Sequence, residues 1–360
     1  MTFVMAGGGT GGHVIPAIAV ARELVRVGHE AFFVGTERGA EGRLVPAAGF
    51  RLEKIRVGGM KNLGPLTRLT SLWRLLAETF AQWHNFGHWK PAAVFSMGGY
   101  VAGPPVLAAL ARGVPVVVME PNAVPGATNR WIAPWVRRAL ISFEETRRFF
   151  PPGRTELTGL PVREEFFAVP DKTAGPEFTV LITGGSQGSR ALNLAAQASW
   201  PLFRQAGLPV RFIHQTGVAM HAELAEAFAA SGFSGEVVKF IADMPAAFAQ
   251  ADLVICRSGA GAVSELAAAG KPSVLIPFPF AADDHQTKNA EVMERGGAAI
   301  RSSDAEWSGR KLFQIVSELR SDSGRLRNMG AAARKLAQPG SAKRAVEILL
   351  EEAAKSIAKH

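Results

Sequence analysis

Three short runs in this 360-residue chain combine glycine with side chains able to do chemistry. The first, Gly7-Gly8-Gly9-Thr10-Gly11-Gly12-His13, follows the apolar stretch Thr2–Ala6 and precedes a helical pattern. The second, Gly184-Gly185-Ser186-Gln187-Gly188-Ser189-Arg190, follows Phe178–Thr183. The third, Arg257-Ser258-Gly259-Ala260-Gly261-Ala262-Val263-Ser264-Glu265, follows Leu253–Cys256. At a strand-to-helix turn, glycine lets the backbone approach an anion. The helix N-terminus adds unpaired N–H groups and the positive end of a dipole. Each run is therefore a candidate phosphate cradle.

Gly7, Gly9 and Gly12 fit G-x-G-x-x-G, with Glu37 near the end of the second strand as a candidate ribose ligand. The same spacing also serves a plain tight turn between strand and helix. Against a simple dinucleotide site, the glycines are denser than the fingerprint needs, and a second cradle in the other half implies ligand groups from two sides. Ser186 adds a hydroxyl to the second loop, and Arg163, at the domain junction, could neutralise phosphate charge. Glu265, on the first turns of its helix, is placed to accept from ribose hydroxyls. Its plain alternative is an acid stabilised by the helix dipole, worth about 0.3–1 kcal/mol.

A hydroxyl nucleophile needs a base, and a positioned one contributes roughly 10²–10⁴-fold. His13 and Glu120 are the candidates, both at carboxyl ends of expected parallel strands, where open α/β sheets bind ligands. Imidazole titrates near the working pH, about 6.5, whereas a carboxylate must be raised to serve. Glu120 could instead orient His13 or cap a nearby helix. Tyr100, the single tyrosine, lies with Gly98 and Gly99 in a further glycine loop, Met97–Gly103, poised for a hydrogen bond or for packing. No Asp-x-Asp occurs, the eight histidines show no zinc spacing, and no nucleophile elbow stands out. Asp283-Asp284-His285 reads as a polar loop. A metal-free reaction driven by positioning and charge stabilisation fits best.

Such residues need elements to hold them. Strand-like and helical patterns alternate from Thr2 to Met119 and restart at Phe178, which predicts parallel, doubly wound sheets in two similar domains. The boundary falls near Pro161–Pro176, and Ser341–Ile357 reads as a last helix able to pack back on the first domain. Apolar residues make up 48% of the chain, enough for two cores. A formal charge of +9 favours an acidic partner. One cysteine, Cys256, excludes an internal disulfide, and no signal-peptide pattern opens the chain. Pro91–Ala111 is uncharged, but Gly98, Gly99, Gly103, Pro104 and Pro105 interrupt it, so it predicts strand, loop and helix rather than a membrane span. Leu69, Leu72, Trp73, Leu76, Phe80 and Trp83 recur at helical spacing, with Lys61, Arg68, Arg74 and Lys90 nearby. That stripe faces either the core or an anionic membrane surface.

The segments GGGTGGHVIPAIAVARELVRVGHE, SMGGYVAGPPVLAA, MEPNAVPGATNR, TGLPVR, TGGSQGSRALN, FIADMPAAFAQADLVICRSGAGAVSELAAAGKPSVLIPFP and DDHQTKNA resemble, in order, the motifs of the MurG family. These are bacterial N-acetylglucosaminyltransferases of peptidoglycan synthesis, hence of cell-wall biogenesis, cell shape and division. The resemblance spans Met5 to about Ala345. It implies an α/β GT-B fold of two Rossmann-like, doubly wound domains facing across a deep cleft. Residues 1–162 would form the acceptor and membrane-side domain and 163–340 the UDP-sugar-binding domain, with 341–360 packing back on the first. It implies inverting transfer of N-acetylglucosamine from UDP-N-acetylglucosamine to undecaprenyl-diphosphate-linked N-acetylmuramoyl-pentapeptide (lipid I), giving lipid II. No cofactor and no metal at the chemical step are implied, and no nucleic acid. The enzyme would sit peripherally on the anionic cytoplasmic face of the inner membrane; protein partners are not specified.

Carried over by position, Thr10, Gly11 and Gly12 line the cleft, and Asn122 and Arg163 contact the donor. Ser186 lies near the diphosphate, Ile241 offers a backbone contact to uracil, Glu265 holds the ribose, and Gln286 bonds sugar hydroxyls. Ala260, Gly261, Ala262, Val263 and Ser264 line the donor site. The N–H groups of Gly185–Gly188 and Ala260–Ala262 would stabilise the leaving diphosphate. Gly98, Gly99 and Tyr100 are acceptor candidates. The chain departs from the family pattern at Met119, Pro121, Gly261-Ala262 and His285, where histidine, glutamine, leucine-threonine and glutamine are frequent. Rival readings are another GT-B sugar-nucleotide enzyme, a nicotinamide-dependent dehydrogenase, or a noncatalytic nucleotide-binding subunit.

Overall fold

The computed structural model describes residues 1–58, 65–172 and 177–358, with backbone alone at 65–69. It divides into two compact units, Met1–Val162 with Gln338–His360, and Arg163–Ala337. Lys61 and the side chains of Leu66, Arg68 and Leu69 lie outside the described residues.

The first unit runs β1 (Thr2–Gly7), α1 (Gly11–Arg26), β2 (Glu30–Gly35), α2 (Ala40–Ala47), β3 (Leu52–Lys54), α3 (Pro65–Trp89), β4 (Ala93–Gly98), α4 (Gly103–Ala111), β5 (Val116–Glu120), α5 (Ala127–Ile132), β6 (Arg138–Ile141) and β7 (Thr155–Leu157). Its sheet order is β3-β2-β1-β4-β5-β6-β7, with every pairing parallel. A parallel sheet is covered on both faces, which is why β1, β4 and β5 are continuous apolar runs rather than alternating ones. Phe3, Val4, Met5, Val94, Phe95, Val117 and Val118 are wholly buried. The chain winds from β1 out to β3, then crosses back to lay β4 on β1's other side. The topological switch point is therefore between β1 and β4, where the ends of neighbouring strands splay their loops apart. Right-handed crossovers put α1 and α2 on one face and α3, α4 and α5 on the other.

The second unit runs β8 (Phe178–Thr183), α6 (Arg190–Gln205), β9 (Val210–Gln215), α7 (His221–Ser231), β10 (Gly235–Val238), α8 (Met244–Gln250), β11 (Leu253–Cys256), α9 (Ala260–Ala269), β12 (Ser273–Leu275), α10 (His285–Arg295), β13 (Ala299–Arg301), α11 (Gly309–Ser321) and α12 (Ser323–Lys335). Its parallel order, β10-β9-β8-β11-β12-β13, puts the switch point between β8 and β11. α6 buries Leu192, Ala195, Ala196, Ser199, Trp200 and Phe203, a helical stripe that packs with Phe212, Phe228 and Leu312.

The last helix, α13 (Ser341–Ile357), belongs to the first unit and packs on α1. Ser341 Oγ donates to the Thr158 carbonyl at 2.6 Å, and the Arg344 guanidinium forks onto Glu156 at 2.5 and 3.1 Å.

Several expected bounds move. The strand expected at Val237–Phe240 is Gly235–Val238, and the one expected to begin at Val114 begins at Val116. The loop Met97–Gly103 gives its first two residues to β4 and its last to α4, with a tight 3₁₀ turn, Tyr100–Ala102, between. α2, β3, β6, β7, α5, α11, α12 and β13 are additions to the expected elements. Pro91–Ala111 resolves into β4, the turn and α4. Among the described residues, no helix is long and apolar enough to cross a membrane.

Candidate active site

At the first switch point, β1 ends in a turn that only glycine satisfies. Gly9 has φ +86°, and a Cβ on Gly7 would lie 2.8 Å from Met97 Cβ. His13 stands in the first turn of α1. Its Nδ1 is 3.2 Å from the Gly8 carbonyl and 3.5 Å from Thr10 Oγ1. A carbonyl only accepts, so Nδ1 carries the proton in the Gly8 contact and the neutral ring has its lone pair on Nε2. The β4 loop closes in beside it. A Cβ on Gly99 would lie 3.7 Å from the His13 ring, and one on Gly9 would lie 3.5 Å from the Tyr100 ring. The fold thus brings His13, Gly99 and Tyr100 together with the Gly8–Gly9 turn, and Thr10, Gly11 and Gly12 continue that turn into α1. Tyr100 is exposed.

Glu120 closes β5, the next strand, and is 1% exposed. Its Oε1 accepts from the Asn122 backbone N–H (3.0 Å) and side-chain amide (3.2 Å). Its Oε2 accepts from Gly126 N–H (3.2 Å) and Asn129 Nδ2 (2.9 Å). Burial pushes the carboxyl up to about 7, against these hydrogen bonds from Asn129, Asn122 and Gly126 that favour the charged form. Both oxygens are committed to the Pro121–Gly126 turn and to α5. Glu120 has the geometry of a loop clamp, while its raised carboxyl meets the condition set above for a carboxylate base.

The acid at the first glycine loop is not Glu37. Glu37 is exposed and pairs with Lys54 at 2.7 Å, because β2 ends at Gly35 and the chain turns away. Glu41, in the first turn of α2, comes back under the loop instead. It is wholly buried and accepts from Gly9 N–H at 2.8 Å. A Cβ on Gly8, Gly35 or Gly39 would lie 2.4, 2.7 or 2.3 Å from the Glu41 side chain. The glycine density of this region is thus a socket for a carboxylate of the chain itself. The signal available in the sequence was the surplus of glycines beyond the fingerprint.

At the second switch point, Gly184–Gly188 turns from β8 into α6. Gly185 and Gly188 have φ +80° and +75°. A Cβ on Gly188 would lie 1.9 Å from the Thr216 carbonyl oxygen, so the loop packs backbone to backbone on the β9 turn. Gln215 ties it down: its Nε2 donates to Gly185 O (2.8 Å) and Thr183 Oγ1 (3.1 Å), while its Oε1 accepts from Ile241 N–H (2.7 Å). Ile241 therefore has its carbonyl to offer a base. Ser186 is exposed on the crest of the loop.

Across the switch, α9 opens after Gly259 with no side-chain cap. Its first N–H groups, through Ala262, have no intrahelical partner and point where an anion would sit. Val263 is buried, while Ala260, Gly261, Ala262, Ser264 and Glu265 are partly exposed. Burial pushes the Glu265 carboxyl up to about 7, and the charge of Arg163 opposes it. Arg163 is exposed, its guanidinium over Phe166 at 5.0 Å. Gln286, in the first turn of α10, accepts from Phe278 N–H at 3.0 Å through its side-chain oxygen, which leaves the amide nitrogen as its donor end. A cavity of about 840 Å³ opens beside the loop, lined by Gly184, Gly188, Arg190, Arg257, Phe280 and Gln286; nucleotide-sized ligands occupy such volumes. Cys256 lies behind the site, its buried thiol pushed up to about 12. Asn122, whose amide holds Glu120, is in the first unit. Among the described residues, no group of three or more His, Cys, Asp or Glu could hold a metal ion.

Two Rossmann-like parallel sheets, each with glycine loops at its switch point, are the architecture of the GT-B class of sugar-nucleotide enzymes. The N-terminal domain of glycosyltransferase family 28 matches residues 3–141, and the C-terminal domain of that family matches 179–345. The UDP-N-acetylglucosamine--N-acetylmuramyl-(pentapeptide) pyrophosphoryl-undecaprenol N-acetylglucosamine transferase of Solibacter usitatus (strain Ellin6076) is 62% identical over 352 residues, 98% of this chain and 96% of that one. The protein of the same name from Myxococcus xanthus (strain DK1622) is 41% identical over 355 residues, 98% of this chain and 93% of that one. The crystal structure of Acinetobacter baumannii MurG superposes with a TM-score of 0.82 at 32% identity, covering 97% and 99% of the two chains. The chain belongs to glycosyltransferase family 28, within its N-acetylglucosamine transferases. The resemblance read from the motifs holds, and the dehydrogenase reading of Gly7–Gly12 is set aside.

Proposed function

We propose that the protein transfers N-acetylglucosamine from UDP-N-acetylglucosamine to the muramoyl sugar of undecaprenyl-diphosphate-linked N-acetylmuramoyl-pentapeptide. The observation that carries this is 62% identity to the Solibacter transferase across 98% of the chain. The second unit takes the donor. Ile241 meets the uracil, and Glu265 holds the ribose. Gly185–Gly188, Ser186 and the start of α9 receive the diphosphate, and Arg163 and Gln286 complete the set. The first unit takes the acceptor, at Gly98–Tyr100 and Thr10–Gly12. His13 Nε2 removes the proton of the acceptor hydroxyl as its oxygen attacks C1 of the sugar and inverts it. The C1–O bond to UDP breaks, and its electron pair leaves on the diphosphate. Preorganised N–H donors at Ser186, Gln187 and the start of α9 are worth most at that moment, because charge develops there. The expected donors Gly185 and Gly188 are not among them, their N–H groups being bonded to Thr183 Oγ1 and the Gly185 carbonyl. The four donors on Glu120 favour a loop-organising role for it over that of base.

The α3 stripe supports docking on an anionic bilayer. Leu72, Trp73, Leu76, Phe80 and Trp83 are all exposed, while Gln82 and Phe86, beside the stripe, are buried. Arg112 stacks on Trp83 at 4.2 Å. Trp131 and Trp135, also exposed, share this sheet face by crossover handedness, among Arg130 and Arg137. Apolar aromatics interleaved with arginine suit the headgroup boundary of a membrane. The enzyme then works peripherally on the cytoplasmic face, where its lipid acceptor is held.

Radiolabelled UDP-N-acetylglucosamine with a short-chain lipid I analogue tests the reading. Label should move to the acceptor only when both substrates are present. UDP release that ignores the acceptor would overturn it in favour of another sugar-nucleotide reaction.

A further inference from the structure

We infer that Glu41 is a positioning residue for His13, acting through the single peptide group that joins Gly8 to Gly9. This rests on the reading of His13 as base. The carbonyl that accepts from His13 Nδ1 (Gly8 O, 3.2 Å) and the N–H that donates to Glu41 Oε2 (Gly9 N, 2.8 Å) are the two ends of one planar unit. The order is carboxylate, amide N–H, amide C=O, imidazole Nδ1–H.

The carboxylate is built in. It is 0% exposed, and its other oxygen accepts from Thr36 N–H at 2.9 Å and Thr36 Oγ1 at 2.6 Å. Thr36 Oγ1 in turn accepts from Gly39 N–H at 3.2 Å. Among the described residues no cation pairs with Glu41. A buried carboxylate without a counter-charge is expensive, and three glycines make room for it. A helix start alone needs no such socket. What the arrangement does supply is direction. The peptide plane cannot rotate without breaking the Gly9 bond, so the Gly8 carbonyl stays aimed at Nδ1 and the lone pair stays on Nε2. A negative charge at the N–H end also polarises the amide and strengthens its carbonyl as an acceptor. That favours the imidazolium formed when the base takes its proton. The arrangement does the work of an acid bonded directly to a catalytic histidine, with one peptide interposed. It also means that Gly9 N–H is not a donor to substrate phosphate, unlike the N–H groups at the start of α9.

Glu41→Gln is the test. Its amide keeps a carbonyl for Thr36 but presents NH₂ to Gly9 N–H, donor against donor. Partners that orient metal-bound histidines change activity by about 10- to 100-fold, and a loss of that order is the effect to look for at this metal-free ring. We expect that loss in kcat with KM for UDP-N-acetylglucosamine unchanged, and no further loss from Glu41→Gln when His13 is already Gln. Equal losses in both backgrounds, or a rise in KM alone, would make Glu41 merely structural and overturn the inference. A His13→Gln variant with normal turnover would remove the base reading instead. ¹⁵N spectra of the histidine rings separate the two without any rate. The His13 signal, assigned by its absence in His13→Gln, should show Nδ1–H in the wild-type enzyme and lose that preference in Glu41→Gln. A wild-type ring protonated on Nε2 overturns the relay even if Glu41→Gln fails to fold.

Discussion

Asn129 reaches back from α5 to donate to Glu120 at 2.9 Å, and the same side-chain amide donates to the Met119 carbonyl at 3.2 Å. One buried amide therefore spans the end of β5 and closes the turn that carries Asn122. On the other side, a Cβ on Gly98 would lie 2.8 Å from Asn129 Oδ1, so the β4 loop is moulded on it too. The first unit's site is a set of loops hung from a few interior polar groups, with Glu41 serving β1 and β2 as Glu120 and Asn129 serve β4 and β5.

If Glu120 organises rather than accepts the proton, Asn129→Ala should mimic its loss. Removing a buried donor to a carboxylate costs about 1.5–3 kcal/mol. We expect urea unfolding to show that loss, and turnover to fall alongside it although Glu120 is intact. Glu120→Ala, which strands four donors, should be worse on both counts. A Glu120→Ala enzyme of wild-type stability with no turnover would return Glu120 to the role of base.

α3 makes opposite predictions for its exposed stripe and for the buried Phe86 beside it. Trp73 and Phe80 are 69% and 70% exposed, so replacing both by Ser should shift stability by only about 0.5 kcal/mol. Each would otherwise bury side-chain surface in a bilayer, worth about 1.5–3 kcal/mol, so co-sedimentation with anionic vesicles should weaken tenfold or more. Phe86, 2% exposed, should do the reverse: Phe86→Ala costs about 3–5 kcal/mol while the folded fraction still binds vesicles. Unchanged vesicle binding by the double Ser variant would take α3 off the membrane.

How much of this was legible depended on whether the signal was local. The Gly184 loop, the α9 start and Glu265 each sit within one strand–turn–helix unit, so their spacing carried them. Glu41 is 32 residues from Gly9, and its role exists only once β2 lies beside β1; the fingerprint spacing pointed to Glu37 instead. β3 and β7 have three residues each and β6 has four, too short for a hydrophobic period to register. For α3, periodicity defined a face but not what the face meets. Glu120's four donors come from a turn and from α5, which no pattern in the chain announces.

Gly188 tests the donor loop without touching a side chain. Its φ of +75° and the 1.9 Å approach to Thr216 O leave no room for a methyl group. Gly188→Ala must displace the loop, and a left-handed L-residue adds about 1–2 kcal/mol of strain. Calorimetry should show UDP affinity lost by at least about tenfold, the 1.4 kcal/mol equivalent. The first unit, including vesicle binding through α3, should be unaffected. Full UDP affinity in this variant would move the diphosphate away from Gly184–Gly188.

The raised Glu265 carboxyl fixes the sign of a pH effect. Its ordinary value is 4.5 and its folded value about 7. Between those limits the folded protein keeps a proton the unfolded chain has released. Its favourable contribution is complete below about pH 4.5 and is lost as pH rises through 7. The full window corresponds to at most about 3 kcal/mol, reduced by the residue's partial exposure. His214, buried and lowered to about 4, slopes the other way, gaining stability as pH rises toward 6.5, while Glu120, also raised to about 7, slopes with Glu265, so the raw wild-type curve mixes all three. The difference between Glu265→Gln and wild type cancels both His214 and Glu120. Urea unfolding at pH 5.5, 6.5 and 8.0 should show the Gln variant gaining on wild type at each step. UDP binding should fall at pH 8.0, where the wild-type carboxylate is ionised and the Gln carbonyl is the weaker acceptor, and the difference should shrink at pH 5.5. Parallel stability curves would mean that Glu265 ionises as an ordinary surface acid, and its placement as the ribose ligand would fall with them.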